Sequence, residues 1–495
     1  MDTKALRQKI LDLAIRGKLV PQDPNDEPAE VLLERIREQK QQMFKEGKLK
    51  KKDIKNDTII FKGEDNLHYE KFQDGTVKCI ENEIPFELPD GWSWARLRDI
   101  CMMSAGKSKS TVQIKSEPFE GSYPCFGGNG VRGYVDEYNQ DGIFSIVGRQ
   151  GALCGNINIA IGKFYATEHA VVTTLFDGID FKWSNYILEA LRLNNYATGA
   201  AQPGLSVANI LNVFVPVPPT QEQDRIGNNV YESLKIVEAL EQEKIDLQKN
   251  IITAKTKILD LAICGKLVPQ DPNDEPASVL LERIRAEKEE LIKHGKIKRD
   301  KKESVIFKGD DNSYYGIHLP DSWNWASLRE IALSISDGSH NPPPNNGSGI
   351  PLLSAANIND NSILMNEISR WITNEEWKIE NQRTNIEVGD VLLTIVGSIG
   401  RSAVVQNNNH FALQRSVAVI KPCLINPLYL MHIVQSPQIQ KWLTDNSKGT
   451  AQKGIYLNAL SLMIIPIPPL AEQARIVELI HIAYKHLDLI SNALL

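Results

Sequence analysis

The feature that most constrains this chain is that it contains itself twice. Lys9 to Ala29 reads KILDLAIRGKLVPQDPNDEPA and Lys257 to Ala277 reads KILDLAICGKLVPQDPNDEPA, so only Arg16 and Cys264 differ at an offset of 248 residues. The match continues through VLLERIR (Val31 to Arg37, Val279 to Arg285) into Lys-rich stretches at Lys45 to Lys55 and Lys293 to Lys302. Fainter echoes follow. LPDGWSWARLRDI (Leu88 to Ile100) answers LPDSWNWASLREI (Leu319 to Ile331), IVGRQG (Ile146 to Gly151) resembles IVGSIG (Ile395 to Gly400), and PVPPTQEQDRI (Pro216 to Ile226) answers PIPPLAEQARI (Pro466 to Ile476). The near-identical parts are helix-like connectors, whereas the blocks between them share a frame and little else. Two similar scaffolds carry two different contents.

The connectors predict long helices. Each PxPP closes a strand-like apolar run (Val213 to Val215, Met463 to Ile465), because proline cannot continue a ladder and suits a following helix start. From Gln221 the apolar positions step by four and three through Ile226, Val230, Val237, Leu240, Leu247, Ile251, Ala254, Ile258 and Leu261, a heptad seam. A helix of roughly 40 residues spans about 60 Å and acts as a spacer. The C-terminal segment repeats the seam (Ile476, Ile480, Ala483, Leu487, Ile490, Leu494) and stops midway, while Leu6, Ile10 and Leu13 match Ala254, Ile258 and Leu261. The chain therefore reads as a circularly permuted tandem repeat, with an antiparallel helix pair and a pseudo-twofold axis expected. Gly17 and Gly265 suit helix C-termini, and a shorter amphipathic helix follows each, burying Ala29, Leu32, Leu33 and Ile36 or Ala277, Leu280, Leu281 and Ile284.

Composition narrows the function. Fifty-six Lys plus Arg against 62 Asp plus Glu give a charge of -6, which opposes a chain coating nucleic acid along its whole surface. Absence of a basic-then-apolar leader and of any membrane-length apolar run leads to the expectation of a cytosolic protein. The six cysteines show no C-x-x-C pair and read as reduced structural thiols. Catalytic look-alikes fail on context. GNGVRG (Gly128 to Gly133) precedes a strand instead of opening a helix after one, Gly106-Lys107-Ser108 lacks the first glycine of a phosphate loop because Cys101 stands there, and Asn341-Pro342-Pro343-Pro344 has Pro344 where a base-stacking aromatic belongs.

The paired tryptophans (Trp92 and Trp94, Trp323 and Trp325) read as core anchors. Polar, glycine-rich loops recur at matched places in both blocks: GKSKST, GGNGVRG, GRQG and TGAAQPG in the first, DGSHNPP, GSIGR, LQRS and KGTAQKG in the second. Small residues let backbone approach phosphates closely, while Lys, Arg, Ser, Asn and Gln supply phosphate and base-edge contacts.

In this order and duplication, the LPxxWxW opening, variable block, PxPPxxEQxRI exit and long helix leading to GKLVPQ resemble the specificity subunit of type I restriction-modification systems over essentially the whole chain. The resemblance implies a mixed α/β (α+β) chain with two target-recognition domains on a pair of antiparallel coiled-coil helices. It divides the chain into a helical segment at 1–56, a first recognition domain at 57–220, a central helical region at 221–302, a second recognition domain at 303–470 and a terminal helix at 471–495. It further implies a non-catalytic subunit in which each domain reads half of a bipartite double-stranded DNA target. Two methyltransferase subunits would dock on the helices, and two restriction subunits would complete the assembly. S-adenosylmethionine, ATP and magnesium would then belong to those partners, with no cofactor or metal in this chain and no membrane. Candidate DNA contacts are Lys107, Lys109, Asn129, Arg132, Arg149, Gln150 and Gln202 in the first block. In the second they are Ser339, His340, Asn341, Ser398, Arg401, Arg415, Gln452 and Lys453. A fused methyltransferase-specificity enzyme and a coiled-coil scaffold are the alternatives.

Overall fold

Each near-identical connector ends a helix at a glycine for two physical reasons at once. In the computed structural model, which describes residues 2–151, 153–199, 203–299, 313–449 and 453–494, Gly17 and Gly265 have φ of +64° and +66°. A Cβ at either would lie 2.5 Å from the Cγ of Pro89 or Pro320. The left-handed turn and the close approach to the Pro-Asp corner both demand glycine. The amide of Ala29 then donates to the Gly91 carbonyl (2.8 Å) and that of Ala277 to Ser322 (2.9 Å), so the amphipathic helix (Ala29–Lys45 or Ala277–Lys293) starts against the same corner. Its expected face is in the core, with Leu33 partly covered.

The chain divides into two units, 1–244 and 245–495, with the division inside the central helix Thr220–Ile263. In both units a strand bearing the second tryptophan pairs antiparallel with the apolar run before the helix: Ser93–Arg96 with Phe214–Val217, and Asn324–Ser327 with Ile464–Ile467. The proline break falls later than expected. Pro216 lies opposite Trp94 and Pro466 opposite Trp325 inside these two-stranded ribbons, where an unpaired edge tolerates the missing N–H. The helices begin only after the last proline, at Thr220 and Leu470.

The variable blocks share more than a frame. The first contains a six-stranded sheet ordered Cys101–Ala105, Ala170–Leu175, Gln140–Gly148, Ile157–Ala166, Tyr123–Gly127, Gly130–Val135. The second contains the order Ala332–Asp337, Val417–Pro422, Val391–Thr394, Ser402–Val404. The first four strands therefore correspond. A parallel contact follows in each, Cys125 opposite Tyr165 and Leu352 opposite Ala412. Ahead of these sheets the first unit has a small sheet (Ile59–Lys62, His68–Lys71, Val77–Cys79) and the second a hairpin of Ser313–Tyr314 with Ile317–His318, and the second also contains the helix Asn374–Thr384.

Within the second unit the end of the central helix runs antiparallel to the terminal helix Leu470–Ala493. Gln270, just beyond the first, bonds Glu472 near the start of the second, and Lys255 Nζ bonds Asp488 Oδ1 at 2.5 Å near its end. The first unit repeats the upper contacts at Gln22–Glu222 and Asp26–Arg225. The core positions of the seam, Ile226, Val230, Val237, Ile476 and Ile480, are buried, whereas Leu6, Leu247 and Ile490 are exposed in this chain.

Candidate nucleic-acid interface

The repeated E-Q-x-R sequence at each helix start is a joint between helix and block. Glu222 accepts from Trp92 Nε1 (3.0 Å) and Gln22 Nε2 (3.1 Å), and Glu472 accepts from Trp323 Nε1 (2.9 Å) and Gln270 Nε2 (2.6 Å). The neighbouring glutamine closes a second link. Gln223 accepts from the Asp180 amide and donates to the Pro218 carbonyl, while Gln473 accepts from the Asn426 amide and donates to that of Pro468. Arg225 pairs with Asp26, and Arg475 with Asp274 of the PNDEP turn. Burial pushes both glutamates above the ordinary carboxylate range, opposed by the glutamine and tryptophan donors. The tryptophans are thus buried anchors, and the joint gives each sheet a defined position on its own helix.

Beyond the joints, the loops gather over a common backbone network at one end of each sheet. In the first unit Gly106 N donates to Ala170 O, Lys107 N to Ala166 O, Arg149 N to His169 O, Gly151 N to Pro203 O and Leu205 N to Arg149 O. In the second, Gly338 N donates to Val417 O, Ser339 N to Leu413 O, Ile395 N to Ser416 O, Gly397 N to Lys453 O and Ile455 N to Ile395 O. Thr198 with Gly204, and Lys448 with Gly454, each exchange two backbone bonds of 2.8–2.9 Å. A Cβ at Gly106 would sit 2.0 Å from Ala166 O, and one at Gly338 2.1 Å from Leu413 O, so both positions require glycine. This network corrects the register of the IVG echo. Gly148 pairs with Ala170 and Thr394 with Val417, so Gly397 corresponds to Gly151 and not to Gly148.

On this scaffold Lys107, Asn129, Arg132 and Gln150 are exposed, and Arg149 is half-buried with its Nε lacking a hydrogen-bond partner among the described residues. Lys109 is withdrawn from the candidate contacts. Its side chain is 7% exposed, its ammonium bonds Glu137 at 2.6 Å, and that bond holds its pKa up. In the second unit Asn341, Ser398, Arg401, Arg415 and Lys453 are exposed. Ser339 is buried and acts through its backbone, so its side chain is also withdrawn. His340 is exposed but bonds the buried Asp337 (Nε2 to Oδ2, 2.8 Å), which also pairs with Arg383. Gln202 and Gln452 lie outside the described residues. The sequence reading missed Glu222, Glu472, Gln22 and Gln270, although their exact repetition in both connectors was an available signal. It also missed Asn156, which donates from Nδ2 to Asn129 Oδ1 at 2.9 Å.

Comparison with known proteins agrees with this duplication. A family model described as the type I restriction modification DNA specificity domain matches twice, over residues 89–257 and 320–494. The type I restriction enzyme EcoEI specificity subunit of Escherichia coli is 27% identical over 582 aligned residues, covering 99% of this chain and 90% of that protein. The EcoAI specificity subunit of the same species is 30% identical over 420 residues, covering 72% of this chain and 67% of that one. A solved structure reported as the structural basis of complex assembly and conformational transition of the type I R-M system has a TM-score of 0.50 at 17% identity, covering 83% of this chain and 94% of its own, a likeness of fold.

Proposed function

The chain belongs to the type I restriction-modification DNA specificity family, and on that premise we propose that it is the non-catalytic subunit choosing the DNA on which partner subunits act. Each unit reads one half of a bipartite duplex target through the loops at the end of its sheet, and the long helices convert their length into a fixed spacing. Half-sites about one helical turn apart, ~34 Å centre to centre, face the same side of the duplex. Two methyltransferase subunits dock on the helices and methylate adenine N6, and two restriction subunits add ATP-dependent cleavage. S-adenosylmethionine, ATP and magnesium are held by those partners. The charge of -6 fits a subunit that shares its phosphate contacts with partners closing around the DNA.

One observation carries this reading: a common backbone network holds different residues in the two units, polar and partly or fully exposed in the first, and buried or apolar at the same places in the second. The position of Lys107 is Ser339, that of Arg149 is Ile395 and that of Gln150 is Val396. Equivalent scaffolds with different side chains are suited to two different half-sites. Among the described residues no helix is long and apolar enough to cross a membrane.

The test is methylation-sensitive sequencing of DNA from cells expressing this chain with its cognate modification subunit, where a bipartite methylated-adenine motif is expected. Exchanging residues 88 to 215 for another recognition block should change one half-site and leave the other and the spacing intact. A wild-type complex producing no bipartite motif would overturn the proposal. Tight binding of S-adenosylmethionine by the isolated chain would instead favour a fused enzyme.

A further inference from the structure

We propose that the hydrogen-bonded pair Asn129–Asn156 reads one adenine of the first unit's half-site through its major-groove edge. This inference rests on the reading that the first unit binds duplex DNA. It adds which residues form a base-reading element and which base they select.

Asn129 stands at the turn between the strands Tyr123–Gly127 and Gly130–Val135, where Gly130 has φ of +86°. Asn156 reaches it from the turn after the Gln140–Gly148 strand, held by Asn156 N to Leu153 O (3.1 Å) and Gly148 N to Asn156 O (2.9 Å). Both residues are exposed. The Asn156 amide donates to Asn129 Oδ1, which uses one acceptor and one donor of the pair. Besides the second Asn156 Nδ2–H and the second lone pair of Asn129 Oδ1, the pair retains the Asn129 Nδ2 donors and the Asn156 Oδ1 acceptor, and these last are the groups assigned to the base. A donor beside an acceptor complements adenine, which offers N7 as acceptor and N6–H2 as donor in the major groove. Guanine offers two acceptors there, so the amide oxygen would oppose O6, and cytosine and thymine each offer a single polar group. Two side chains locked to each other before binding lose little freedom on contact, which favours discrimination over mere attraction.

Two further donors support a ligand at this place. Asn158 lies beneath the turn, with its Oδ1 3.0 Å from where a Cβ of Gly130 would be, and its enclosed Nδ2 has no partner among the described residues. Arg149, bonded through its backbone to the same loop cluster, has an enclosed Nε in the same condition. An unmade bond at an enclosed donor costs free energy, and a side-chain rotation that brings the donor out to an arriving DNA acceptor relieves it. Among the described residues, the corresponding turn of the second unit holds no such pair. The turn Ser354–Asn357 follows the strand corresponding to Tyr123–Gly127, and there Asn357 spends its amide on the Leu364 and Glu367 carbonyls and on Ser354 N. The reading is therefore confined to one half-site.

The experiment uses the chain assembled with its modification subunits and the motif found for the wild type. Asn129→Ala and Asn156→Ala are each assayed by methylome sequencing and by binding to duplexes carrying every base at each position of both half-sites. The expected result is loss of preference at one A·T pair of the first half-site, by roughly 10- to 100-fold, with the other half-site and the spacer retained. Retention of the second half-site also shows that the variants fold. 7-Deazaadenine at that position should weaken the wild type about tenfold and leave the variants unaffected. Unchanged motifs in both variants, or loss spread evenly over the half-site, would overturn the pair as a base reader while leaving the DNA-reading function standing. A wild-type complex without any bipartite motif would overturn both.

Discussion

Replacing Glu472 separates shape from hydrogen bonding at the joint of the second unit. The residue is fully buried and accepts from Trp323, itself fully buried, at 2.9 Å, and from the exposed Gln270 at 2.6 Å. Glu472→Ala leaves the indole N–H without an acceptor, whereas Gln270 can turn to water. Hydrogen bonds to a charged group contribute about 1.5–3 kcal/mol, and the orphaned donor adds its desolvation cost, so a loss of about 2–4 kcal/mol is expected. Glu472→Gln keeps the volume and one acceptor and removes a buried charge, so its cost should stay near 1 kcal/mol. The assay is urea unfolding of the full chain by tryptophan fluorescence, with hydrogen exchange to locate the damage, since two units need not unfold together. Exchange should rise around 320–330 and 464–475 in the Ala variant and stay unchanged around 89–96 and 214–225. The pH dependence supplies a second reading. Because burial raises the folded pKa of Glu472 above the ordinary glutamate value of 4.5, its contribution is fully present below that value and is lost as pH rises through the folded pKa. Glu472→Gln should flatten that decline. If Gln proves as damaging as Ala, or if the first unit loosens equally, the hydrogen-bonded joint is not what holds the block.

Four other substitutions carry expectations of their own. His432, pulled down to about 4 by burial from 6.5, contributes stability above its unfolded pKa that is lost as pH falls through the folded one. Between those values the second unit should lose about 3 kcal/mol, and acid titration of His432→Leu should lack that limb. Gly265→Ala must place a Cβ 2.5 Å from Pro320 Cγ at φ of +66°, so thermal unfolding should register a loss of about 2–4 kcal/mol. Lys107→Met should reduce the slope of log binding constant against log salt by about 1. Lys109→Met should leave that slope unchanged, because its ammonium is already paired with Glu137.

Much of the frame was legible because it is written twice. Apart from Arg16 against Cys264 and Glu30 against Ser278, the connectors agree residue for residue from Lys9 to Arg37 and from Lys257 to Arg285, so helix ends at Gly17 and Gly265 and the buried faces at Ala29 to Ile36 and Ala277 to Ile284 could be read from period and capping alone. The candidate contacts were legible only as composition. A lysine in a glycine-rich loop looks the same whether it points outward, as Lys107 does, or folds onto an acidic neighbour 28 residues along the chain, as Lys109 does. Asn156 carried no signal at all, since its role depends on meeting Asn129 from another turn. The IVG echo misled for a related reason: apolar strands ending in glycine resemble one another at several registers, and only ladder hydrogen bonds choose among them.

What the sequence determined by itself is the duplication and the family membership that follows from the order of its motifs. These depend on local chemistry, in which capping, periodicity and proline placement act over a few residues. The tertiary structure decided which polar groups remain free to read a ligand. Trp92, Trp323, Lys109 and Ser339 are spent within the fold, whereas Lys107, Gln150 and the Asn129–Asn156 pair remain at its surface. Satisfying buried hydrogen bonds is a condition on the whole packed unit, and partners 149 residues apart, as Trp323 and Glu472 are, meet only once it has folded.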